Sequence, residues 1–270
     1  MNLIFHLIHT LHRCILGCFL RQTPIPTIDM SKIVKHEVQD LLSESMDDPG
    51  CGVFVHWGIK GSGKTAYAAC LARRLKGEKG RSVLFLDHNS LSSGISAMVI
   101  RKFCEMLPER ERSFNLNPTE PPPTSIIVDD FDNNNGYDEG WNTDNHLRNM
   151  IKTIAKTSCT GKRFNVLLLV TSSSRAREIL GWDWAHIQLV GTPGCGAWKE
   201  NHVSELFNMY PRLVSSDDRQ ERLDICTRAG TPEFVIWSSR TTTATTRMKT
   251  NAERHALEWE KGVQELSAVV

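Results

Sequence analysis

The amino-acid sequence predicts an α/β protein in which a five-stranded parallel sheet carries helices on both faces and is followed by a small C-terminal group of helices. Between residues 51 and 190, short apolar runs of strand length alternate with longer segments of helical periodicity. Beyond Gly191 the pattern is helical throughout. A chain of 270 residues is also long enough to bury a substantial core. These observations favour one large α/β unit with a helical appendage.

Five segments are predicted as strands because each is a short, mainly apolar run of the kind found inside a parallel sheet. They cover residues 51–57, 82–87, 125–131, 165–171 and 187–190. Parallel neighbours require crossover connections, so helices are expected between successive strands.

Helices are predicted where apolar residues recur at helical spacing. In the first part of the chain they cover residues 31–46, 65–75, 92–107 and a segment through 147–154. Ser31 is expected to cap the first of them. In the C-terminal part they cover about 198–209, 216–228, 231–239 and 243–266. Loops are expected at the proline-rich residues 108–123 and at the Asn, Asp and Gly residues 132–144.

The chain is expected to divide into three regions. They are an N-terminal extension at 1–28, a sheet-containing core at 29–192 and a helical subdomain at 193–270, with Pro24 and Pro26 marking the first boundary. The extension has no acidic residue and is apolar over its first 20 residues, apart from three histidines and Arg13. An organellar presequence, an amphipathic membrane-surface helix and a disordered or partner-packed segment all fit this composition. The histidines and the arginine make it a poor transmembrane helix.

The composition argues against a strong overall electrostatic field. Lys plus Arg number 32 and Asp plus Glu 31, so the net charge of +1 gives no support for nucleic acid or an anionic membrane as a partner. The eight cysteines are scattered and form no C-x-x-C pair, as expected for reduced thiols inside a cell. The cytoplasm is the favoured location, while residues 1–20 leave an organelle or a membrane surface open.

One motif carries most of the functional information. Residues 58–65 match G-x-x-x-x-G-K-[ST] in full, between a predicted strand and a predicted helix. Glycines let the backbone turn its N–H groups toward phosphate oxygens, and the helix start adds its positive dipole end. Lys64 is expected to bind the β and γ phosphates, and the Thr65 hydroxyl to bind Mg²⁺. The predicted nucleoside-triphosphate site consists of Gly58, Ile59, Lys60, Gly61, Ser62, Gly63, Lys64, Thr65 and Ala66.

A carboxylate for the metal ion is predicted at the end of a later strand. Asp129 follows the apolar residues 126–128, and the carboxyl ends of parallel strands meet at one edge of a sheet. Mg²⁺ takes one or two protein carboxylates and keeps several waters, so Asp129 beside Thr65 suffices.

The phosphate loop at 58–65 and the Ile-Ile-Val-Asp-Asp run at 126–130, with one strand between them in the chain, resemble the Walker A and Walker B motifs of the additional-strand P-loop NTPases. That division includes AAA+ and STAND ATPases. The resemblance implies a three-layer P-loop NTPase core, a C-terminal helical lid, and ATP with Mg²⁺ as ligands. It also implies two catalytic residues, Lys64 and Asp130, the second of which polarises the attacking water. AAA+ proteins usually have Glu there, whereas Asp-Asp is similar to NB-ARC-type STAND modules, in which turnover is slow.

A weaker resemblance concerns the end of the fourth predicted strand. Residues 171–175 run Thr-Ser-Ser-Ser-Arg, similar to the sensor-1 region that contacts the γ-phosphate. This implies Ser172, Ser173 or Arg175 as the contact, although a serine helix cap accounts for the same residues. Alternatively, Arg175 or Arg177 acts as an arginine finger on the nucleotide of a neighbouring subunit.

Residues 223–234 resemble the helix, Gly-x-Pro, helix element of the AAA+ and STAND lid. The resemblance implies that Pro232 lies close to the adenine and ribose, with Arg228 as a second residue that reports the nucleotide state. A plain connector between two helices fits the same residues, because Gly ends helices and Pro begins them.

Together, these residues favour a Mg²⁺-dependent ATPase in which nucleotide binding and hydrolysis move the lid and remodel a protein partner. The alternative is a slowly hydrolysing, nucleotide-gated switch that controls assembly with a partner or with further copies of the chain, favoured by Asp130 in place of Glu. A DNA- or RNA-remodelling ATPase is a third alternative, supported only by Lys and Arg in the C-terminal tail. No site role is assigned to His56, His88 or His146.

Overall fold

The computed structural model describes residues 25–47, 52–78, 82–86, 124–131, 164–182, 187–209, 219–240 and 245–269. Five strands lie in these ranges: β1 Gly52–Trp57, β2 Ser82–Leu86, β3 Thr124–Val128, β4 Phe164–Val170 and β5 Ile187–Leu189. The helices are α1 Glu37–Asp47, α2 Lys64–Gly77, α3 Ser173–Leu180, α4 Glu200–Met209, α5 Arg219–Ala229, α6 Pro232–Arg240 and α7 Thr245–Ser267, with a 3₁₀ turn at Met30–Lys32.

The strands form one sheet with the order β2-β3-β4-β1-β5. Every pairing is parallel, and the register aligns Gly52 with Asn165 and Val53 with Ile187. The Asn165 side chain reinforces this register, because its Oδ1 accepts from Gly52 N at 3.3 Å and its Nδ2 donates to Met46 O at 2.7 Å. The predicted five-stranded parallel sheet is therefore confirmed, with β4 lying between β1 and β3.

Alternate strand residues face two separate apolar layers, as the two-residue period of a strand requires. Phe54 and Leu167 face a cluster completed by apolar residues of α1, α2, α4, α5, α6 and the first half of α7. Val55 and Leu168 face a second cluster completed by α3 and the second half of α7. Helices thus cover both faces of the sheet, which confirms the predicted three-layer architecture.

The first helix begins later than its sequence pattern predicts. Ser31 does not cap it, because both the N–H and the hydroxyl of Ser31 donate to Asp29 Oδ1, at 3.1 and 2.6 Å, within the 3₁₀ turn. α1 begins at Glu37, after Val38 N donates to the His36 ring at 3.1 Å. A local Asp–Ser bond has displaced the helix start by about two turns.

Several predicted elements lie outside the described residues. They are most of the N-terminal extension, the helices at 92–107 and 147–154, and the loops at 108–123 and 132–144. The boundary near residue 192 stays a prediction. Within the part of the chain that the structure describes, no helix combines the length and the apolarity needed to cross a bilayer.

Candidate functional site

The chain between β1 and α2 forms a tight loop that requires glycine at three positions. Gly61 and Gly63 have φ of +78° and +92°, a left-handed conformation that most side chains disfavour. At Gly58, a Cβ would lie 2.6 Å from Ser62 Oγ. Each glycine of the motif therefore has a specific steric reason.

The Lys64 ammonium lies inside this loop. Lys64 is 8% exposed, and its Nζ donates to the carbonyls of Gly58 at 2.6 Å and Ile59 at 3.2 Å. α2 begins at the same residue, with Gly63 as an N-cap that provides no side-chain hydrogen bond. The positive end of the helix and the ammonium thus meet at the loop, which is an arrangement suited to an anion.

One buried hydroxyl in the loop also fits an anionic ligand. Ser62 is 3% exposed, and among the described residues its Oγ has no hydrogen-bond partner. Buried polar atoms in native proteins are almost always paired, so this hydroxyl is available to a ligand that enters the loop. Of the other predicted loop residues, Ile59 packs into the second apolar cluster, while Lys60 and Ala66 line the cleft above the loop.

Thr65 and Asp129 lie together. The Thr65 hydroxyl donates to the Asp129 carboxylate, and Asp129, directly after β3, is 8% exposed. Burial raises the pKa of Asp129, and the neighbouring Asp130 raises it further, while the Thr65 hydrogen bond and the Lys64 charge act in the opposite direction. A buried carboxylate beside a hydroxyl and a second carboxylate is a donor set suited to a hard divalent cation.

Asp130 has an uncommon backbone conformation. Its φ of 55° is the one positive value of a non-glycine residue in the described part of the chain. The next residue, Phe131, donates its N–H to Leu169 O at 3.1 Å, so the chain turns sharply from β3 toward the end of β4. Left-handed aspartate costs roughly 1 kcal/mol, and such strain is concentrated at functional sites. Asp130 lines the cleft beside Asp129.

At the end of β4, the serine and arginine candidates have different surroundings. Ser172 is the N-cap of α3, accepting from Arg175 N at 3.3 Å, and it also lines the cleft. Arg175 donates to Glu178 at 2.6 Å, and its guanidinium lies 5.1 Å from the centre of the Phe131 ring. The helix cap considered from the sequence is thus present, and a phosphate contact by either residue stays a prediction.

The turn between α5 and α6 contacts the phosphate loop. Gly230, with φ of +65°, ends α5, and Pro232 begins α6. A Cβ on Gly63 would lie 3.5 Å from Pro232 Cγ. The Glu233 N–H also donates to Gly61 O at 3.3 Å. The structure therefore places Pro232 beside the phosphate loop, and its contact with an adenine and ribose stays a prediction.

Above the loop is a cleft of about 1500 Å³ with two ends that the sequence does not reveal. One end is apolar and is lined by Val34, Tyr67, Trp198 and Ile236, with Trp198 Nε1 donating to the Tyr67 hydroxyl at 3.1 Å. The other end is polar and is lined by α7, where the Ser173 hydroxyl donates to Glu265. Tryptophan and isoleucine in amphipathic segments give no sign of which cavity they face.

A cluster of His36, Glu37 and His202 borders the apolar end, with ligand atoms within 4.8 Å of one another. Both imidazoles accept backbone N–H groups at Nδ1, His36 from Val38 at 3.1 Å and His202 from Lys199 at 3.2 Å. The Lys199 ammonium donates to Glu37 at 2.8 Å and lowers the pKa of Glu37 to about 2. The lone pairs that a metal needs are therefore engaged, and the cluster is best described as a polar contact between α1 and α4.

No protein-family model and no curated protein matches this chain. Among solved structures, it is similar to a chain of the HORMA:CdnC:Trip13 complex of E. coli MS115-1, with 12% identity, a TM-score of 0.46, and coverage of 73% of this chain and 75% of that one. It is also similar to AMPPCP-bound DnaA from Aquifex aeolicus, with 11% identity, a TM-score of 0.44, and coverage of 90% and 69%. At these TM-scores neither likeness carries an inference about function.

Proposed function

We propose that this chain is a Mg²⁺-dependent, ATP-binding P-loop ATPase of the AAA+/STAND type. Nucleotide binding and hydrolysis move the α4–α7 helices as a lid and thereby remodel a protein partner. The main support is the hydrogen bond between Thr65 and Asp129, because it joins the start of the phosphate-loop helix to the acid at the end of β3. Two motifs far apart in the sequence thus meet at one point.

The phosphates are expected to lie in the loop at 58–65. Lys64 exchanges the carbonyls of Gly58 and Ile59 for oxygens of the β and γ phosphates, and the N–H groups at the start of α2 bind the same oxygens. Thr65 and Asp129 would hold Mg²⁺, which would supply positive charge to the terminal phosphates. Asp130 orients the attacking water and takes its proton, while the water oxygen bonds to the γ-phosphorus and the nucleoside diphosphate leaves.

The apolar end of the cleft is expected to hold the base. Val34, Tyr67, Trp198 and Ile236 offer aliphatic and aromatic surface, and Pro232 lies between this end and the loop. Aromatic faces and apolar side chains are suited to the flat base of a nucleotide. Contacts from α6 and from the segment before α1 make this end sensitive to the position of both.

The strand order supports the additional-strand type, since β4 lies between the phosphate-loop strand β1 and the acid-bearing strand β3. The C-terminal helices support a lid, because Pro232 and Glu233 touch the loop directly. No observation favours a nucleic-acid remodeller, and one of the tail cations, Lys249, is paired with Glu221 at 2.8 Å.

A nucleotide-gated switch is the second candidate. It is favoured by Asp130, whose short carboxylate and left-handed backbone limit its reach toward a water molecule. In this case the nucleotide state, rather than turnover, selects the lid position and the assembly with a partner or with further copies of the chain.

One experiment on the purified full chain separates the candidates. ATP and ADP binding are measured by calorimetry, phosphate release by a coupled assay, and mass by light scattering with each nucleotide. Lys64→Ala is expected to abolish binding, whereas Lys76→Ala, an exposed lysine at the end of α2, leaves it unchanged. Steady turnover that is lost in Asp130→Asn with binding retained supports the ATPase. Binding and a change in mass without turnover support the switch, and a wild-type chain that binds neither nucleotide refutes both.

A further inference from the structure

Glu233 is packed against the phosphate loop. Its N–H donates to Gly61 O at 3.3 Å. A Cβ built on Gly61 would lie 2.7 Å from Glu233 Cβ and would overlap the Glu233 carboxylate. Gly61 has a left-handed φ of +78°, so the loop bulges toward α6 at this point. The second residue of α6 therefore brings a carboxylate onto the loop itself.

This carboxylate also faces the cleft. Glu233 is exposed and lines the cleft together with Lys60 and Lys64. Within the described ranges it makes no hydrogen bond or salt bridge through its side chain. Glu233 also acts on His255 of α7, whose pKa is lowered mainly by burial and raised by the charge of Glu233. The negative charge of Glu233 thus lies at the wall of the cleft, which it shares with the ammonium groups of Lys60, Lys64 and Lys261.

The terminal phosphates are expected on the same side of the loop. Lys64 Nζ donates to the carbonyls of Gly58 and Ile59, so the ammonium lies inside the loop where a bound phosphate is expected. In phosphate loops this ammonium binds the β and γ phosphates. The phosphates bound by Lys64 are therefore expected within the loop that Glu233 contacts at Gly61.

We propose that Glu233 determines nucleotide selectivity, weakening the binding of nucleoside triphosphate relative to diphosphate. This inference rests on the proposed function. A carboxylate at the loop repels the more negatively charged triphosphate more strongly than the diphosphate. Tight triphosphate binding then requires α6 to move away from Gly61, so the charge of Glu233 couples the γ-phosphate to the lid.

The test compares affinities of the full chain for ATP and ADP in Mg²⁺ at low salt. Glu233→Gln keeps the side-chain volume and removes the charge. It is expected to tighten ATP binding about three- to tenfold and ADP binding less than about twofold. The gain shrinks in 0.5 M salt, because exposed charges are screened. Glu253→Gln, an exposed acid of α7 that does not line the cleft, is the matched control and is expected to leave the ATP-to-ADP ratio unchanged.

Three outcomes overturn the inference. They are an unchanged ratio in Glu233→Gln, equal gains for both nucleotides, and an equal effect of Glu253→Gln. Glu233→Asp keeps the charge and withdraws it from Gly61, so its ratio is expected between those of wild type and Glu233→Gln. Wild-type binding of both nucleotides with an unchanged ratio refutes this inference alone. A chain that binds neither nucleotide refutes the proposed function and this inference with it.

Discussion

Gly262 of α7 lies directly against the indole of Trp57. A Cβ on residue 262 would lie 3.0 Å from Trp57 Cε2 and would overlap Cζ2. The same indole packs edge-on against Trp259, with ring centres 5.2 Å apart, and donates to Thr171 O at 3.0 Å. Because Trp57 ends β1, this contact packs the second half of α7 against the sheet next to the phosphate loop.

We therefore expect Gly262→Ala to lower the free energy of unfolding by about 1–3 kcal/mol, since the added methyl group forces Trp57 or α7 to move. Urea unfolding followed by circular dichroism measures this. The matched control is Gly77→Ala at the end of α2, where a Cβ meets nothing within 4 Å. It is expected to be neutral or to stabilise by up to about 1 kcal/mol, because alanine is the better helix former. Equal effects of the two changes would contradict the tight packing at Trp57.

Asp129→Asn is expected to stabilise the ligand-free chain at pH 7 and to weaken the Mg²⁺-dependent binding of ATP about tenfold or more. Burial raises the pKa of Asp129, so the folded state holds the proton more tightly than the unfolded state. Stability is then lost as pH rises through the folded-state pKa, and the ionised carboxylate is a cost at pH 7.

Thermal melting and calorimetry on the same samples measure the two effects of Asp129→Asn. Asp224→Asn on α5, an exposed acid that accepts from Gln220 at 2.9 Å, serves as the control and is expected to change neither quantity measurably. A less stable Asp129→Asn chain would contradict this account of the buried carboxylate.

The Tyr67–Trp198 hydrogen bond is expected to show a coupling free energy of about 1 kcal/mol in a double-mutant cycle. Tyr67→Phe leaves the buried indole N–H without its acceptor, whereas Trp198→Phe removes the donor. Unfolding free energies of the two single variants and the double variant give the coupling. The single variants are also expected to weaken nucleotide binding, because both rings line the apolar end of the cleft. Additive effects on unfolding would show that the bond is not formed.

Acid is expected to destabilise the chain through its buried histidines. Burial lowers the pKa of His36 and His202, and lowers the pKa of His56 to about 3. Since the unfolded imidazoles take up protons near pH 6.5, stability is complete above that pH and falls as pH decreases toward the folded values.

Each such histidine contributes a slope of up to about 1.4 kcal/mol per pH unit. Urea unfolding between pH 7 and pH 5 measures the slope before most carboxylates titrate. His56→Leu is expected to reduce it by about the share of one histidine, and an unchanged slope would contradict the assignment of His56 as buried and neutral.

Local elements of the fold follow closely from the sequence. The strand predicted at 51–57 is found at Gly52–Trp57, and the helix predicted at 65–75 is found at Lys64–Gly77. Both depend on short apolar runs and on glycines whose steric roles are local. The predicted start of the first helix at Ser31 was wrong, because the Asp29–Ser31 interaction outweighs the helical pattern around it.

The candidate site is only half visible in the sequence. Residues 58–65 and Asp129 form recognisable motifs. The hydrogen bond between Trp198 and Tyr67, by contrast, joins residues that are 131 positions apart, and no sequence pattern near either residue predicts it. The contact of Glu233 with the phosphate loop could not be predicted from the sequence either, since it depends on how α5 and α6 pack. Long-range packing, rather than local propensity, decides these contacts.

The pairing of β1 with β4 affects how the chain reaches this state. Gly52 and Asn165, which are hydrogen-bonded, are separated by 113 residues, and both are central in the sheet. While the protein is synthesised, β1 leaves the ribosome long before its neighbour, and its apolar residues have no strand to pair with in the interval. Topologies dominated by such distant pairings fold in milliseconds to seconds rather than microseconds. Strands that have not yet paired are prone to aggregate during this time. Nascent chains are therefore expected to depend on chaperones until residue 170 has emerged.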